Sequence, residues 1–210
     1  MILRKLCLLI SICCLASSAQ TAAGNNSIYE LPALQLSDQS GHAFRLASRQ
    51  GQPYLLGLFY ASCQQACPVQ IALLKHLQKF LLQQGRPQPA VLLISFDPEH
   101  DDLAHLQALA DRQHLPTGLF SLARVESGDL GMLAGALGIS WHQRADGEFQ
   151  HNTRISWIDA QGHVLRQFSE EDLMHTESVN FIIQALGGQA LHCPSQVSAV
   201  NQALCQDQPR

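Results

Sequence analysis

Tyr54-Leu-Leu-Gly-Leu-Phe-Tyr60-Ala-Ser-Cys63-Gln-Gln-Ala-Cys67-Pro68 is the stretch on which the fold turns. The run from Tyr54 to Tyr60 is almost continuously apolar, the pattern of a strand buried on both faces. From Pro68 to Gln84, Ile71, Leu74, Leu77 and Leu81 recur at helical spacing. Pro68 suits a first helical turn, where no amide donor is needed. A buried strand, a short turn holding two cysteines and an amphipathic helix together open a βα unit.

Outward from this unit the same alternation continues. Ala90–Phe96 predicts a second buried strand, stopped by Asp97-Pro98. Leu103–Gln113 predicts a helix, Gly118–Val125 contains a strand, and Ser127–Leu137 predicts a helix. Arg154–Asp159 and His163–Phe168 flank the turn Ala160-Gln-Gly162, and Glu177–Leu186 closes with a helix. On the N-terminal side, Tyr29–Leu36 and His42–Leu46 flank Ser37-Asp-Gln-Ser-Gly41, a hairpin signal. Strands alternating with helices predict an α/β sheet covered by helices on both faces, with an antiparallel edge from the last hairpin. A hairpin, a strand, CxxxC, a helix, further βα units and a closing hairpin and helix are similar to the thioredoxin-like order.

The chain has 210 residues, 46% of them hydrophobic and 14% charged. Such a composition excludes a disordered chain and a coiled coil. Met1–Lys5 is a short cationic start, and Leu6–Ala16 is an apolar run too short to span a bilayer. Small residues follow, so 1–23 reads as a signal peptide cut after Ala19 or Ala23, or as an uncleaved N-terminal anchor. Ile12 before Cys13 argues against a lipoprotein. That leader predicts an exported, periplasmic protein; no later apolar run is long enough to cross a membrane, so the mature protein is expected to be soluble or tethered by its N-terminus. Without Arg4 and Lys5, 11 basic residues face 17 acidic ones, a net charge of −6. That balance argues against nucleic acid as a partner. Residues 24–186 then form one domain and 187–210 an extension.

Three of the seven cysteines lie in the leader. Cys63, Cys67, Cys193 and Cys205 remain, an even count that permits two disulfides in an oxidising compartment. Ligands bind at the carboxyl ends of strands in open α/β sheets, which is where Cys63 and Cys67 fall. Cys67 lies at the helix start, where amide donors are expected to lower a thiol's pKa. Spacing i, i+4 brings both sulfurs to one side of the first turn. Two such thiolates can form a disulfide or hold one soft metal ion. A purely structural Cys63–Cys67 bridge is the plainer alternative. His151, after the polar loop Arg144–Gln150 and ahead of Arg154–Asp159, is the candidate third ligand. His100 follows the strand ending at Asp97, near the same edge. His42, His76, His105, His114, His163 and His175 read as surface residues.

Three motifs in this order resemble the Sco/SenC family of thioredoxin-like copper proteins, which assist assembly of cytochrome c oxidase. They are Phe59–Pro68 with its CxxxCP, Ser95-Phe-Asp-Pro-Glu-His-Asp101, and His151-Asn-Thr-Arg-Ile-Ser-Trp-Ile-Asp-Ala-Gln-Gly162. The resemblance covers roughly Tyr29 to Leu186, and the spacing of 88 residues from Cys63 to His151 is typical of it. It implies Cys63, Cys67 and His151 as ligands for one copper per chain, Cu(I) or Cu(II). It further implies a metallochaperone that serves the binuclear copper site of oxidase subunit II, or another copper-accepting protein. A reversible Cys63–Cys67 disulfide would switch binding off. The chain departs from the family at Gln64 (usually Pro), His100 (Arg) and Asn152 (Ser or Thr).

The alternative function is thiol–disulfide exchange, with Cys63 and Cys67 as the catalytic dithiol that reduces partner disulfides; His151 discriminates, since an exchanger does not need it. A peroxidase of the peroxiredoxin type ranks last, for no P-x-x-x-[TS]-x-x-C pattern precedes Cys63. In the tail, Cys193 and Cys205 flank a short amphipathic stretch, and a Cys193–Cys205 disulfide pinning a C-terminal helix is expected. A second metal or redox site with His192 is the sharper reading.

Overall fold

The computed structural model describes residues 27–189 apart from 33, 64, 65, 146 and 147. The leader, Cys193, Cys205 and their expected bridge lie outside the described residues. A seven-stranded mixed sheet forms the centre. Its strands are β1 (Gln35–Asp38), β2 (Ala43–Phe44), β3 (Tyr54–Phe59), β4 (Ala90–Ser95), β5 (Phe120–Ser127), β8 (Ile155–Ile158) and β9 (Val164–Phe168), in the spatial order β2-β1-β5-β4-β3-β8-β9. A separate two-stranded ribbon pairs β6 (Trp141–Gln143) with β7 (Phe149–His151). The helices are α1 (Ala66–Gln83), α2 (Leu103–Arg112), α3 (Leu130–Ala136) and α4 (Thr176–Ala185). None is long and apolar enough to cross a membrane.

The apolar run at the head of the decisive stretch is the middle of this sheet. β3 pairs in parallel with β4 and antiparallel with β8, and all six of its residues are buried. Because side chains alternate between faces, complete burial means that both faces are covered. Every residue of β8 is buried as well, with Trp157 1% exposed. α1 links β3 to β4 and α2 links β4 to β5, the long crossovers that parallel pairing requires. On α1, Ile71, Leu74, Leu77 and Leu81 form the inward stripe, each at most 1% exposed.

Several boundaries differ from the expected ones, each for a local reason. The N-terminal hairpin is shorter, because Asp38 accepts the N–H groups of Ser40 (2.9 Å) and His42 (3.0 Å) and folds the turn immediately. Ile28 donates instead to the Gly162 carbonyl, at 2.8 Å. β5 runs on to Ser127 because it pairs with β1. The following helix therefore begins at Leu130, capped by Asp129, which accepts the Gly131 N–H at 2.8 Å. Residues 141–151, read in part as a polar loop, contain the β6–β7 ribbon.

Gly57 marks the tightest point under the site. A Cβ there would meet Gln70 Nε2 of α1 at 2.8 Å and Leu93 Cδ2 of β4 at 3.0 Å. Both neighbours are fully buried. Gly57→Ala is expected to destabilise the fold by about 1–3 kcal/mol through overpacking, read as a lower urea midpoint with an unchanged slope.

Candidate metal centre

Strand direction decides what meets at one edge of the sheet. β3 and β4 run out at the edge where β8, antiparallel to β3, begins. The chain leaving β3 carries Cys63, the chain leaving β4 carries Asp97 to Asp101, and the chain entering β8 carries His151. Ligand atoms of Cys63, Cys67 and His151 lie within 4.8 Å of one another. Cys67 is 2% exposed and Cys63 9%; His151 is half-buried. The two cysteines are thiols, not joined to one another. Two sulfurs and an imidazole so disposed suit a thiophilic, low-coordinate ion. His100 is not among them. It is exposed, with Nδ1 2.8 Å from Asp97 Oδ1, and that bond raises its pKa. His42, His76, His105, His114 and His175 are exposed and His163 is half-buried.

Cys67 sits inside the first turn of α1, and its N–H donates to Cys63 Sγ at 3.3 Å. The expectation of a lowered thiol pKa at this helix start does not hold. The adjacent Cys63 thiol and burial push the Cys67 thiol well above its ordinary range. The neighbouring thiol and desolvation of the charged form together outweigh the one backbone bond, at Tyr60, that favours it.

The loop between β3 and α1 is pinned from beneath. Asp101, 2% exposed, accepts the Ala61 N–H at 2.8 Å and the hydroxyl of Ser95. Ser95 Oγ in turn accepts the Asp97 N–H at 3.0 Å. Burial raises the Asp101 pKa, opposed by these two donors. The S-x-D-P-E-x-D segment thus ties the end of β4 to the start of the cysteine loop.

The histidine is held from above, and sequence reasoning missed how. Phe96 packs on the His151 ring with centroids 5.2 Å apart, and Tyr60 meets it edge-on at 5.9 Å. Trp141 of β6 stacks on Phe96 at 5.2 Å and 17°, and Phe149 of β7 meets both Tyr60 and Phe96. Tyr60 donates its hydroxyl to Glu148 Oε2 at 2.8 Å, a bond across 88 residues. Burial, Glu148 and Cys63 all push the Tyr60 phenol up. Asn152, one of the family departures, fastens the ribbon's base. Its Oδ1 accepts the Ser140 N–H at 2.8 Å and its Nδ2 donates to the Gly138 carbonyl at 2.9 Å. The Asp-Gly dipeptide at 146–147, lying in sequence between Trp141 and Phe149, is the sequence signal that could have pointed to this ribbon. A cleft of about 480 Å³ opens over Cys63, lined also by Tyr60, Arg144, Glu148, Gln150 and His151.

A mixed sheet with a dithiol turn between β3 and α1 and a histidine delivered beside it defines a thioredoxin-like metal- or redox-site protein. The sequence profile of the SCO1/SenC family matches residues 25–186, and the chain belongs to that family. No curated protein sequence matches the chain significantly. Solved structures share the fold at low identity. Yeast Sco1 with copper bound is 15% identical, with a TM-score of 0.60, over 85% of this chain and 94% of its own. BsSco, described with a disulfide switch as a member of the Sco family of cytochrome c oxidase assembly proteins, is 20% identical (TM-score 0.55), over 69% and 86%. A SCO1/SenC family lipoprotein from Bacillus anthracis is 21% identical (TM-score 0.58), over 68% and 85%.

Removing the Asp101 carboxylate strands two donors. Asp101→Ala is expected to cost about 1–3 kcal/mol of stability, and Asp101→Asn, which keeps an acceptor, distinctly less; urea unfolding of the reduced protein separates the two.

Proposed function

We propose that this protein is an exported copper-binding protein that delivers copper to an oxidase assembly site, with Cys63, Cys67 and His151 as its ligands. The observation that carries this reading is the convergence of the two sulfurs and the imidazole within 4.8 Å in a member of the SCO1/SenC family. Copper is bound in yeast Sco1, and oxidase assembly is the role stated for the Sco family of BsSco. The donor set itself fits: thiolates and imidazole favour Cu(I), and the same three also accept Cu(II). Copper is cargo here, so its ligands exchange one at a time with those of an acceptor, of which the binuclear copper site of oxidase subunit II is the proposed one. The periplasm is the proposed compartment, with the leader cleaved or kept as a tether; a lipoprotein relative is consistent with a tethered form.

The second reading is thiol–disulfide exchange. Cys63 borders the cleft and Cys67 is buried behind it, so Cys63 is the accessible thiol for attack on a partner disulfide. A Cys63–Cys67 disulfide is then the oxidised state in either reading, and blocks metal binding in the first.

Titration of the reduced protein with Cu(I) against a competing chelator tests the choice. One tight copper per chain is expected, lost in Cys63→Ala, Cys67→Ala and His151→Ala and retained in Cys193→Ala. His151→Ala that binds copper as tightly as the wild type would favour thiol exchange. The pH dependence has a definite sign. The Cys67 thiol is held protonated by its surroundings, and only the thiolate ligates. Binding therefore releases a proton, and apparent Cu(I) affinity rises through neutral pH by about tenfold per pH unit for each proton displaced. A flat profile between pH 6 and 8, measured in the same competition assay, would contradict a thiol ligand at Cys67.

A further inference from the structure

The same sheet edge receives one more segment. β9 pairs antiparallel with β8, and its last residue, Phe168, lies opposite Ile155, the first residue of β8. The chain leaving β9 therefore emerges beside the segment that carries His151 into β8. Two residues past that strand end stands Glu170. Its Oε1 is buried with no hydrogen-bond partner among the described residues. The short turn Asp172–Met174 that follows packs against α1, the helix of Cys67. His151 Nδ1 is likewise buried and without a hydrogen-bond partner among the described residues. The groups that act on the Glu170 carboxyl are His151, which favours its charged form, and Cys63, which opposes it; burial outweighs both. Glu170 is not one of the cluster of ligand atoms within 4.8 Å. It is therefore not one of the three converging ligands.

A histidine that binds a metal through one ring nitrogen ordinarily donates its other ring N–H to a carboxylate or carbonyl, which fixes the tautomer and the ring's orientation. A carboxylate with an unpartnered, buried oxygen on the His151 side of the site is suited to that role. Its charge has a second consequence. Two thiolates with Cu(I) leave the centre with one net negative charge, and with Cu(II) none. An adjacent carboxylate in a partly desolvated site opposes the more negative state.

Resting on the copper reading above, we propose that Glu170 is a positioning residue of the centre, whose carboxylate accepts the His151 ring N–H left free by the metal and biases the site toward Cu(II). In its sequence context, Ser169-Glu170-Glu171-Asp172, the residue reads as part of a solvated acidic turn.

Competition titrations with Cu(I) and, separately, Cu(II) on the full chain test this, comparing wild type, Glu170→Gln and Glu170→Ala. Glu177→Gln serves as control, since Glu177 is exposed and pairs with Arg166 away from the cluster. Both Glu170 variants are expected to lose roughly 10–100-fold in Cu(II) affinity, to lose less for Cu(I), and to shift the thiolate-to-Cu(II) absorption. Their melting temperatures without metal should match the wild type. The control should change nothing. Wild-type affinity for both oxidation states and an unchanged spectrum in the Glu170 variants would overturn the inference alone. Equal losses for Cu(I) and Cu(II) accompanied by a lower melting temperature would also overturn it, assigning Glu170 to the fold. Absence of tight copper in the wild type would overturn the copper reading and this inference with it.

Discussion

The site depends on one constraint: β3 is hydrogen-bonded on both sides and buried on both faces, so the point where it ends is fixed. Nothing in a core packed to crystal-like density lets that strand slide by part of a residue. The cysteine loop begins at its end and is tied there by the Ala61–Asp101 bond. α1 begins almost at once, so Cys67 cannot leave Cys63 without unwinding a helical turn. The strands beside β3 bring the other groups. Parallel β4 brings Ser95 and Asp101 to the same edge, and antiparallel β8 brings His151. The direction of two pairings thus decides the composition of the site before any side chain is considered.

The parts of this arrangement that were legible in the sequence are the ones written locally. The apolar run at Tyr54–Tyr60, the helical spacing from Ile71 to Leu81 and the CxxxC between them are short-range patterns, and the elements lie where they predict, within two residues at α1. Cys63 and Cys67 needed only their own spacing to be placed on one side of a turn. His151 is a different case. It meets the thiols because β8 runs antiparallel to β3, a fact of sheet order across 88 residues that no periodicity encodes. Its position ahead of that strand made it a candidate, and the resemblance of three motifs in order implied it as a ligand. The Tyr60–Glu148 bond and the unpartnered Glu170 oxygen were invisible for the same reason. The thiol pKa at Cys67 failed on another ground. Helix position is readable from sequence, but the contact with the Cys63 thiol and the burial that together raise this pKa are properties of the packed chain.

The family departures acquire separate physical meanings. Asn152 replaces a hydroxyl residue and uses both ends of its amide to fasten the base of the ribbon to the end of the α3 segment. His100 replaces a permanent cation with a group that pairs with Asp97 and stays exposed. It does not join the thiols, so an extra ligand at that position is not what the substitution provides. Both changes fall around the site and leave the three converging side chains in place.

Those three side chains are not held with equal firmness, and the difference bears on how a bound ion would leave. The two cysteines belong to the seven-stranded core and to α1. His151 belongs to a ribbon of three residues per strand that takes no part in the main sheet. Two-stranded ribbons have little stability of their own and rely on what they pack against. Here that is the ring cluster of Tyr60, Phe96, Trp141 and Phe149, the Tyr60–Glu148 bond, and Asn152. Ring contacts are individually worth only about 0.5–1.5 kcal/mol, whereas the strand and helix beneath the thiols are held by continuous ladders of hydrogen bonds. An incoming ligand that enters the cleft beside Glu148 and His151 meets the yielding side of the centre first. In the proposed transfer, imidazole is then the ligand displaced early, and the thiols, fixed by the core, keep hold of the ion until the acceptor supplies donors of its own.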